Sequence, residues 1–235
     1  MPKRAIVLSA GRGTRMRPIT DSMPKPLVEV GGMPMIDRAL DALQRAGVEK
    51  VVVNVHHFAD RMIAHLARRG AFVTISDERD KLLDSAGGIV KALPQLGEEA
   101  FLLLNADSFW IDGEEPELER LALAWDGAAM DILLMLSPLD SATGHHGKAD
   151  FTRDASGRLS RAVDRSQGLV YAGAAILHPR LFAGASAEPH GLNLYFDHAI
   201  AAGRMFGLPM RGHWFTVGTP EAIGEAEAEL ARLGR

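Results

Sequence analysis

A glycine-containing segment near the start of the chain, and the residues just after it, carry four basic side chains. The first segment reads Leu8-Ser-Ala-Gly-Arg-Gly-Thr-Arg-Met-Arg-Pro18, and the second reads Met23-Pro-Lys-Pro-Leu27. Glycines let backbone N–H groups approach phosphate oxygens closely, because no Cβ atom stands in the way. We therefore predict a loop that binds phosphate groups. The basic residues are Arg12, Arg15, Arg17 and Lys25.

The spacing of this segment argues against two familiar nucleotide-binding loops. Gly11-Arg-Gly-Thr-Arg-Met16 lacks the third glycine of a dinucleotide-binding loop, and Pro18 stands where a helix would have to start. A P-loop places its lysine directly after the last glycine, whereas Lys25 lies much farther along the chain. The prolines on either side of Lys25 fix the backbone and so hold the ammonium group in place. A plain glycine turn with solvated arginines is the alternative.

An aspartate follows a short apolar run in the middle of the chain. The sequence Leu102-Leu-Leu-Asn-Ala-Asp107 predicts a buried strand that carries Asp107 to its carboxyl end. In open α/β sheets ligands bind beyond the carboxyl ends of the strands, where the glycine segment would also lie. Mg²⁺ prefers hard oxygen ligands and shares its shell with substrate phosphates. We therefore predict a magnesium site at Asp107, with a turn-capping role as the alternative.

Strands and helices alternate over the first half of the chain and would position these residues. Continuous apolar runs predict strands at 5–9, 50–55, 72–76 and 101–104. Helical spacing of apolar residues predicts helices at 35–46, 60–69 and 88–96. The alternation predicts an α/β fold, with a Rossmann-like, mostly parallel sheet that has helices on both faces.

The second half of the chain is less regular and predicts a β-rich insertion. We expect strands at 131–136 and 170–177, and a hairpin at 151–163 that turns at Ala155-Ser-Gly157. We expect helices at 117–125, 193–202 and 221–233. The length of 235 residues suits a single α/β domain spanning 1–235.

The composition narrows the classes of protein to which the chain can belong. With 26 basic and 30 acidic residues the net charge is −4, which argues against backbone binding of nucleic acid. The absence of cysteine excludes disulfides, thiolate zinc sites and a cysteine nucleophile. No apolar run approaches the roughly 20 residues of a membrane helix, and the run at 5–8 is too short for a signal peptide. We expect a cytoplasmic protein that binds neither nucleic acid nor a membrane, and the sequence identifies no protein partner.

The glycine segment together with Pro24-Lys-Pro-Leu27 resembles the two-part signature of the sugar-1-phosphate nucleotidyltransferases. The resemblance implies transfer of a nucleotidyl group from an NTP to a sugar 1-phosphate, with release of pyrophosphate and with Mg²⁺ as cofactor. It implies a nucleotide-binding half at 1–110 and a sugar-phosphate-binding half at 111–235. It also implies catalytic roles for Arg15, Lys25 and Asp107, with Asp107 as metal ligand. The implied nucleotide contacts are Ser9, Ala10, Gly11, Gly13, Thr14, Arg15, Lys25, Ser85, Gly87, Gly88 and Asn105.

Three further segments resemble one branch of this family, the bacterial N-acetylmuramate 1-phosphate uridylyltransferases. They are Gly144-His-His-Gly-Lys-Ala-Asp-Phe151, Ala174-Ala-Ile-Leu-His-Pro179 and Arg211-Gly-His-Trp214. The first is a poor metal site, because its adjacent histidines point in different directions and no third ligand is near. The resemblance implies UTP and N-acetylmuramate 1-phosphate as substrates. The implied sugar-phosphate contacts are His146, Lys148, Asp150 and Gly173.

One position departs from the family pattern. The usual second metal ligand is an aspartate in a Trp-x-Asp-x-Gly-Thr segment, but here the segment is Trp214-Phe-Thr-Val-Gly-Thr219, with Thr216 in place of the aspartate. The metal would then depend on Asp107, water and substrate phosphates, or on another acid such as Asp164 or Asp197. Two alternatives follow. One is a different acceptor, such as mannose, glucose or heptose 1-phosphate or phosphocholine. The other is a module that binds nucleotide with little or no turnover.

Overall fold

The computed structural model describes residues 1–235 and contains six α-helices and fourteen strands. The helices are α1 (Met35–Arg45), α2 (Ala59–Leu66), α3 (Asp84–Leu96), α4 (Glu117–Ala124), α5 (Asn193–Ala201) and α6 (Pro220–Arg232). The strands of the first half are β1 (Arg4–Leu8), β2 (Glu29–Val30), β3 (Met33–Pro34), β4 (Lys50–Val55), β5 (Val73–Asp77), β6 (Phe101–Asn105) and β7 (Ser108–Ile111). The strands of the second half are β8 (Ile132–Pro138), β9 (Ala142–Thr143), β10 (Phe151–Arg153), β11 (Leu159–Arg161), β12 (Leu169–Leu177), β13 (Met205–Pro209) and β14 (His213–Thr216).

Four strands of the first half form the parallel part of the main sheet, in the order β6, β1, β4, β5. The apolar runs of β6, β1 and β4 are continuous because both faces of the sheet are covered there, whereas the edge strand β5 alternates apolar and polar residues. Val7 of β1 lies opposite Val53 of β4 and Leu104 of β6, and all three side chains are buried. The predicted mostly parallel α/β sheet is confirmed.

Alternate residues of β1 enter two different hydrophobic cores, because successive side chains of a strand point to opposite faces. Val7 packs in the core that contains α1, α2 and α4, whereas Ile6 packs in the core that contains α3 and α5. A third core joins α6 to Phe109 of β7 and Phe215 of β14, whose rings are stacked with centroids 4.7 Å apart. None of the six helices has both the length and the apolar character needed to cross a bilayer.

Strand β12 ends the parallel part of the sheet. It runs antiparallel to β6, with Ala174 opposite Leu104, and antiparallel to β8 along its other edge. Leu169, at the start of β12, also pairs with β10, so β6 and β10 share one edge of this strand. The register against β8 shifts between Tyr171 and Ala175, on either side of Gly173, which has φ 78°. Between these two pairings, Tyr171 of β12 lines a cavity.

Several predicted elements differ from those observed. Helix α3 begins at Asp84 rather than at residue 88, since Gly87 and Gly88 weaken the helical signal in the sequence but are buried in the fold. The predicted hairpin has two three-residue strands, β10 and β11, which are joined through residues 154–158. Strands β13 and β14 were not predicted. Both are short and are stabilised by pairing with distant strands, β8 and β7.

Gly88 is expected to tolerate no side chain. A Cβ atom at this position would lie 2.7 Å from Oε1 of Glu78 and 2.9 Å from Nδ2 of Asn54. Gly88→Ala should therefore lower the free energy of unfolding by about 1–3 kcal/mol, the usual cost of overpacking. Gly224→Ala in α6 is the matched control, because a Cβ there meets nothing within 4 Å, and helix propensity predicts a gain of up to about 1 kcal/mol. Chemical denaturation of both variants measures the difference, and equal stabilities would contradict this packing.

Candidate active site

The carboxyl ends of β1 and β6 open into the same cavity, which has a volume of about 520 Å³. The two strands are neighbours, with Leu8 opposite Asn105, so the residues that follow them lie side by side. The backbone N–H of Ala106 donates to the carbonyl of Leu8 at 3.1 Å and ties the two turns together. The predicted residues that line this cavity are Ser9, Ala10, Gly11, Lys25, Ser85, Asn105 and Asp107.

An ion pair between Lys25 and Asp107 crosses this cavity. Nζ of Lys25 donates to Oδ2 of Asp107 at 2.8 Å, and the two side chains are 12% and 37% exposed. The lysine is largely withdrawn from water, whereas the carboxylate is more than a third exposed, so solvent screens the pair less than a fully exposed surface pair. The cation is therefore held at a defined place beside an acidic oxygen ligand.

Gly13 allows the lysine to reach this position. It has φ 62°, and a Cβ atom would lie only 2.9 Å from Cβ of Lys25 and 3.0 Å from Cγ2 of Thr20. The hydroxyl of Thr20 donates to the carbonyl of Gly13 at 2.8 Å and holds the turn against the lysine. The second glycine of the segment thus serves close packing of the loop on Lys25.

Two other predicted loop residues lie outside the cavity wall. Thr14 and Arg15 are exposed and belong to a short 3-10 helix, Thr14–Met16. The guanidinium of Arg15 lies against the segment after β14, since a Cβ on Gly218 would be 3.2 Å from its Nη1. The predicted roles of Thr14 and Arg15 in binding phosphates remain predictions.

A buried polar chain, which the sequence analysis missed, holds the start of the glycine loop. The N–H of Ser9 donates to Oδ1 of Asn54 at 2.7 Å, and Nδ2 of Asn54 donates to Oε1 of Glu78 at 2.8 Å. Oε2 of Glu78 accepts from the N–H of Leu83 at 3.1 Å. Asn54 and Glu78 are 2% and 1% exposed. The sequence did contain a signal, because Asn54 is the one amide side chain inside the apolar run of β4. A polar group in such a buried strand is tolerated only when it is hydrogen-bonded.

The start of α3 forms another part of the wall of the first cavity. The residues predicted there differ in what they contact. Ser85 lines the cavity and its hydroxyl accepts from the N–H of Leu192 at 2.9 Å. Gly87 and Gly88 instead face protein atoms, because a Cβ on Gly87 would lie 2.2 Å from the carbonyl of Glu188. Their small size serves the packing of α3, and direct contact with a nucleotide stays a prediction for them.

A second cavity, of about 380 Å³, adjoins the first and shares Leu8, Asp84, Ser85 and Asn105 with it. The structure places the predicted Asp150 in its wall. Gly173, with φ 78°, lies behind the wall, where a Cβ would be 2.2 Å from Oγ of Ser108. Gly173 therefore allows β12 to approach the turn that carries Asp107.

The other two predicted sugar-phosphate residues lie elsewhere. Nε2 of His146 is 3.0 Å from Oε1 of Glu225 on α6. Lys148 lines a separate shallow depression together with Asp164 and Arg165. Neither histidine nor lysine lines the two adjoining cavities, so their role in holding the sugar phosphate remains a prediction.

The acidic groups of the site fit a metal ion that binds together with the substrate phosphates. Asp84 and Asp107 line the first cavity together, but nowhere do three histidine or acidic side chains gather as a preformed metal site. The acids expected to compensate for Thr216 are engaged elsewhere: Asp164 accepts from Ser166, and Asp197 pairs with Arg161 at 2.8 Å. Mg²⁺ is usually held by one or two carboxylates, waters and substrate phosphates, and this donor set suits that arrangement.

A family model described as "MobA-like NTP transferase domain" matches residues 5–146, and the chain belongs to that family. The predicted membership among nucleotidyltransferases is thereby confirmed. The matched span contains the glycine loop, Lys25, Asn54, the start of α3 and Asp107. Enzymes of this kind generally use a divalent metal ion.

Two curated relatives match along nearly the whole chain. The chain is 43% identical over 237 residues to the N-acetylmuramate alpha-1-phosphate uridylyltransferase of Caulobacter vibrioides, and the match covers 98% of each chain. It is 31% identical over 230 residues to the enzyme of the same name from Neisseria meningitidis serogroup B, covering 96% of this chain and 97% of that one. Both are similar to this chain in length as well as in sequence.

The structure also resembles solved structures of low sequence identity. HddC from Yersinia pseudotuberculosis, complexed with GMP-PN, superposes with a TM-score of 0.79 at 19% identity, covering 97% of this chain and 99% of that one. At this identity the likeness shows the fold alone, and it confirms the predicted fold class.

We expect the buried chain from Ser9 to Glu78 to be required for nucleotide binding. In Glu78→Gln, the new amide group must face either the Leu83 N–H or Nδ2 of Asn54, which are both donors. Leaving one buried donor unsatisfied costs about 1–3 kcal/mol. We predict a lower melting temperature and a raised KM for the NTP substrate, because the Asn54 amide that accepts from Ser9 is no longer firmly anchored.

The control for this variant is Glu98→Gln, which changes an exposed carboxyl group without a hydrogen-bond partner. Thermal unfolding and steady-state kinetics measure both effects. If Glu78→Gln and Glu98→Gln behave alike, the buried chain does not hold the loop.

Proposed function

We propose that the protein transfers a uridylyl group from UTP to N-acetylmuramate 1-phosphate, giving the UDP-sugar and pyrophosphate. The observation that carries the proposal is the Lys25–Asp107 pair at 2.8 Å, set in a cavity between a glycine loop and the end of β6. The sequence identity of 43% over nearly the whole chain to a uridylyltransferase supports the choice of UTP and of this acceptor.

The reaction needs no nucleophile from the protein. An oxygen of the sugar phosphate attacks the α-phosphorus of UTP in line, a new P–O–P linkage forms, and the α–β bond breaks to release pyrophosphate. The attacking oxygen is already ionised at neutral pH, so catalysis consists chiefly of positioning and charge stabilisation. The free N–H groups around Gly11 and the ammonium of Lys25 are placed to hold the phosphates.

Lys25 has the clearest part in this scheme. Lys25 lies in the cavity wall with only 12% of its side chain exposed, so its ammonium stabilises negative charge that develops as pyrophosphate leaves. Asp107 keeps the ammonium oriented before substrate binds. Asp107, with Asp84 in the same wall, would hold Mg²⁺, which neutralises substrate phosphate charge when bound.

We further propose a division of labour between residues 1–110 and 111–235. All residues that line the first cavity except Pro189 come from the first half of the chain, which suits a nucleotide-binding part. The second cavity adds residues of β10, β11, β12 and α5, which suits a sugar-binding part. Since nucleoside triphosphates are kept inside cells, we propose the cytoplasm as the place of action.

Pyrophosphate release tests the proposal directly. We would measure it with UTP, GTP, CTP and dTTP against N-acetylmuramate, N-acetylglucosamine, glucose and mannose 1-phosphates in the presence of Mg²⁺. The proposal predicts the highest kcat/KM for UTP with N-acetylmuramate 1-phosphate. A different preferred pair would contradict the substrates but keep the reaction. No release from any pair, together with measurable UTP binding, would indicate a binding module.

A further inference from the structure

The second cavity has a far wall that the reaction described so far does not use. Its volume is about 380 Å³, and the wall consists of residues from β11, β12 and the start of α5. Three groups in this wall attract negative charge or donate hydrogen bonds. They are the guanidinium of Arg161, the hydroxyl of Tyr171 and the amino end of α5.

Arg161 is held in place by its neighbours and keeps one nitrogen free. Its guanidinium lies over the ring of Phe151, 4.9 Å from the centroid, and 5.9 Å from that of Phe196. Nε donates to Asp197 at 2.8 Å and Nη2 donates to Oδ1 of Asn193 at 3.0 Å. Nη1 has no hydrogen-bond partner in the protein. A cation fixed in this way loses little conformational entropy when an anion binds to it.

Tyr171 contributes a donor without a partner. Its hydroxyl is buried and makes no hydrogen bond in the protein, although the side chain lines the cavity. Buried polar groups nearly always have a partner, so an orphaned hydroxyl beside a cavity is free to donate to a bound ligand or to water. Burial and the negative charge of Asp107 raise the pKa of Tyr171 above its ordinary value, which keeps the phenol protonated.

The amino end of α5 adds a third favourable feature. Gly191, Leu192 and Asn193 line the cavity where this nine-residue helix begins, and no side chain caps it. Free N–H groups and the helix dipole favour an anion at this end. The orphaned hydroxyl of Tyr171 is an independent sign that the wall faces a ligand.

Two acidic residues in the same cavity limit where an anion can lie. Asp84 accepts from the N–H of Ser85 at 2.5 Å, and Asp150 accepts from the N–H of Tyr171 at 3.1 Å. Their remaining oxygens suit sugar hydroxyls, which donate hydrogen bonds. Oδ2 of Asp84 lies close to the amino end of α5, since a Cβ on Gly191 would be 3.5 Å from it, and Asp197 already pairs with Nε of Arg161. Binding of an anion therefore depends chiefly on the free Nη1 of Arg161 and on the hydroxyl of Tyr171.

We propose that Arg161, Tyr171 and the amino end of α5 form a carboxylate subsite that selects sugar 1-phosphates carrying an acidic substituent on the ring. The inference rests on the proposed function, in which the phosphate of the sugar lies beside Lys25 in the first cavity. The anion in the second cavity is then a separate group. In N-acetylmuramate it is the lactyl carboxylate, which N-acetylglucosamine lacks.

The test compares two acceptors that differ only in the lactyl group, N-acetylmuramate 1-phosphate and N-acetylglucosamine 1-phosphate. The quantity measured is the ratio of their kcat/KM values with UTP. A hydrogen-bonded charge pair of this kind contributes about tenfold or more to affinity. Arg161→Gln should therefore lower the ratio at least about tenfold, chiefly through KM for the lactyl acceptor, and Arg161→Lys should restore part of it.

Arg158→Gln is the matched control, because Arg158 stacks on Phe206 at 5.2 Å at the turn end of the same hairpin, outside the cavity. Its ratio should equal that of the wild type. If Arg161→Gln reduces kcat/KM for both acceptors equally, Arg161 acts on the shared phosphate or on the fold, and the proposal is overturned. An unchanged ratio in Arg161→Gln overturns it as well.

Tyr171→Phe separates a ligand contact from a structural role. Because the hydroxyl has no partner in the protein, its removal should not lower the melting temperature, yet the ratio should fall several-fold. A lower melting temperature with an unchanged ratio would contradict the proposal. Failure of the proposed function can be distinguished from failure of the subsite. If the proposed function is wrong, the wild type turns over neither acceptor. If only the subsite is wrong, the wild type is selective and the variants are equally selective.

Discussion

The contact on which the site depends joins two residues far apart in the sequence, Lys25 and Asp107, at 2.8 Å. It exists because β1 and β6 are adjacent parallel strands in one register, with Leu8 opposite Asn105. A one-residue slip would turn the side chains of β6 to the opposite faces of the sheet. The buried apolar residues of both strands prevent such a slip, so the hydrophobic core fixes the geometry of the charged pair.

The loop around this pair is held by polar side chains at buried positions, where apolar side chains are usual. Asn54 lies in a strand that is otherwise apolar, and Glu78 is buried without a cationic partner. Each is acceptable because its hydrogen bonds end on backbone groups of the loop or of the start of α3. Local departures from the apolar pattern thus coincide with the wall of the first cavity.

Much of the first half could be predicted from the sequence, because its strands are continuous apolar runs and its loop has distinctive spacing. The second half depends on long-range pairing, which local patterns do not encode. The shift between Tyr171 and Ala175 shapes the second cavity, and it has no signature besides Gly173. For the same reason His146, next to Glu225 on α6, and Lys148 could not be placed relative to the cavities from their motif.

A double-mutant cycle on Lys25 and Asp107, measured as kcat/KM for pyrophosphate release, tests the central claim most directly. The account predicts that Lys25→Ala alone lowers kcat/KM by at least about 100-fold, the scale of losing one transition-state donor. It also predicts that the double variant is little worse than the more damaged single variant, because the two residues act as a unit. Losses that multiply independently, or a Lys25→Ala variant with nearly normal turnover, would contradict it.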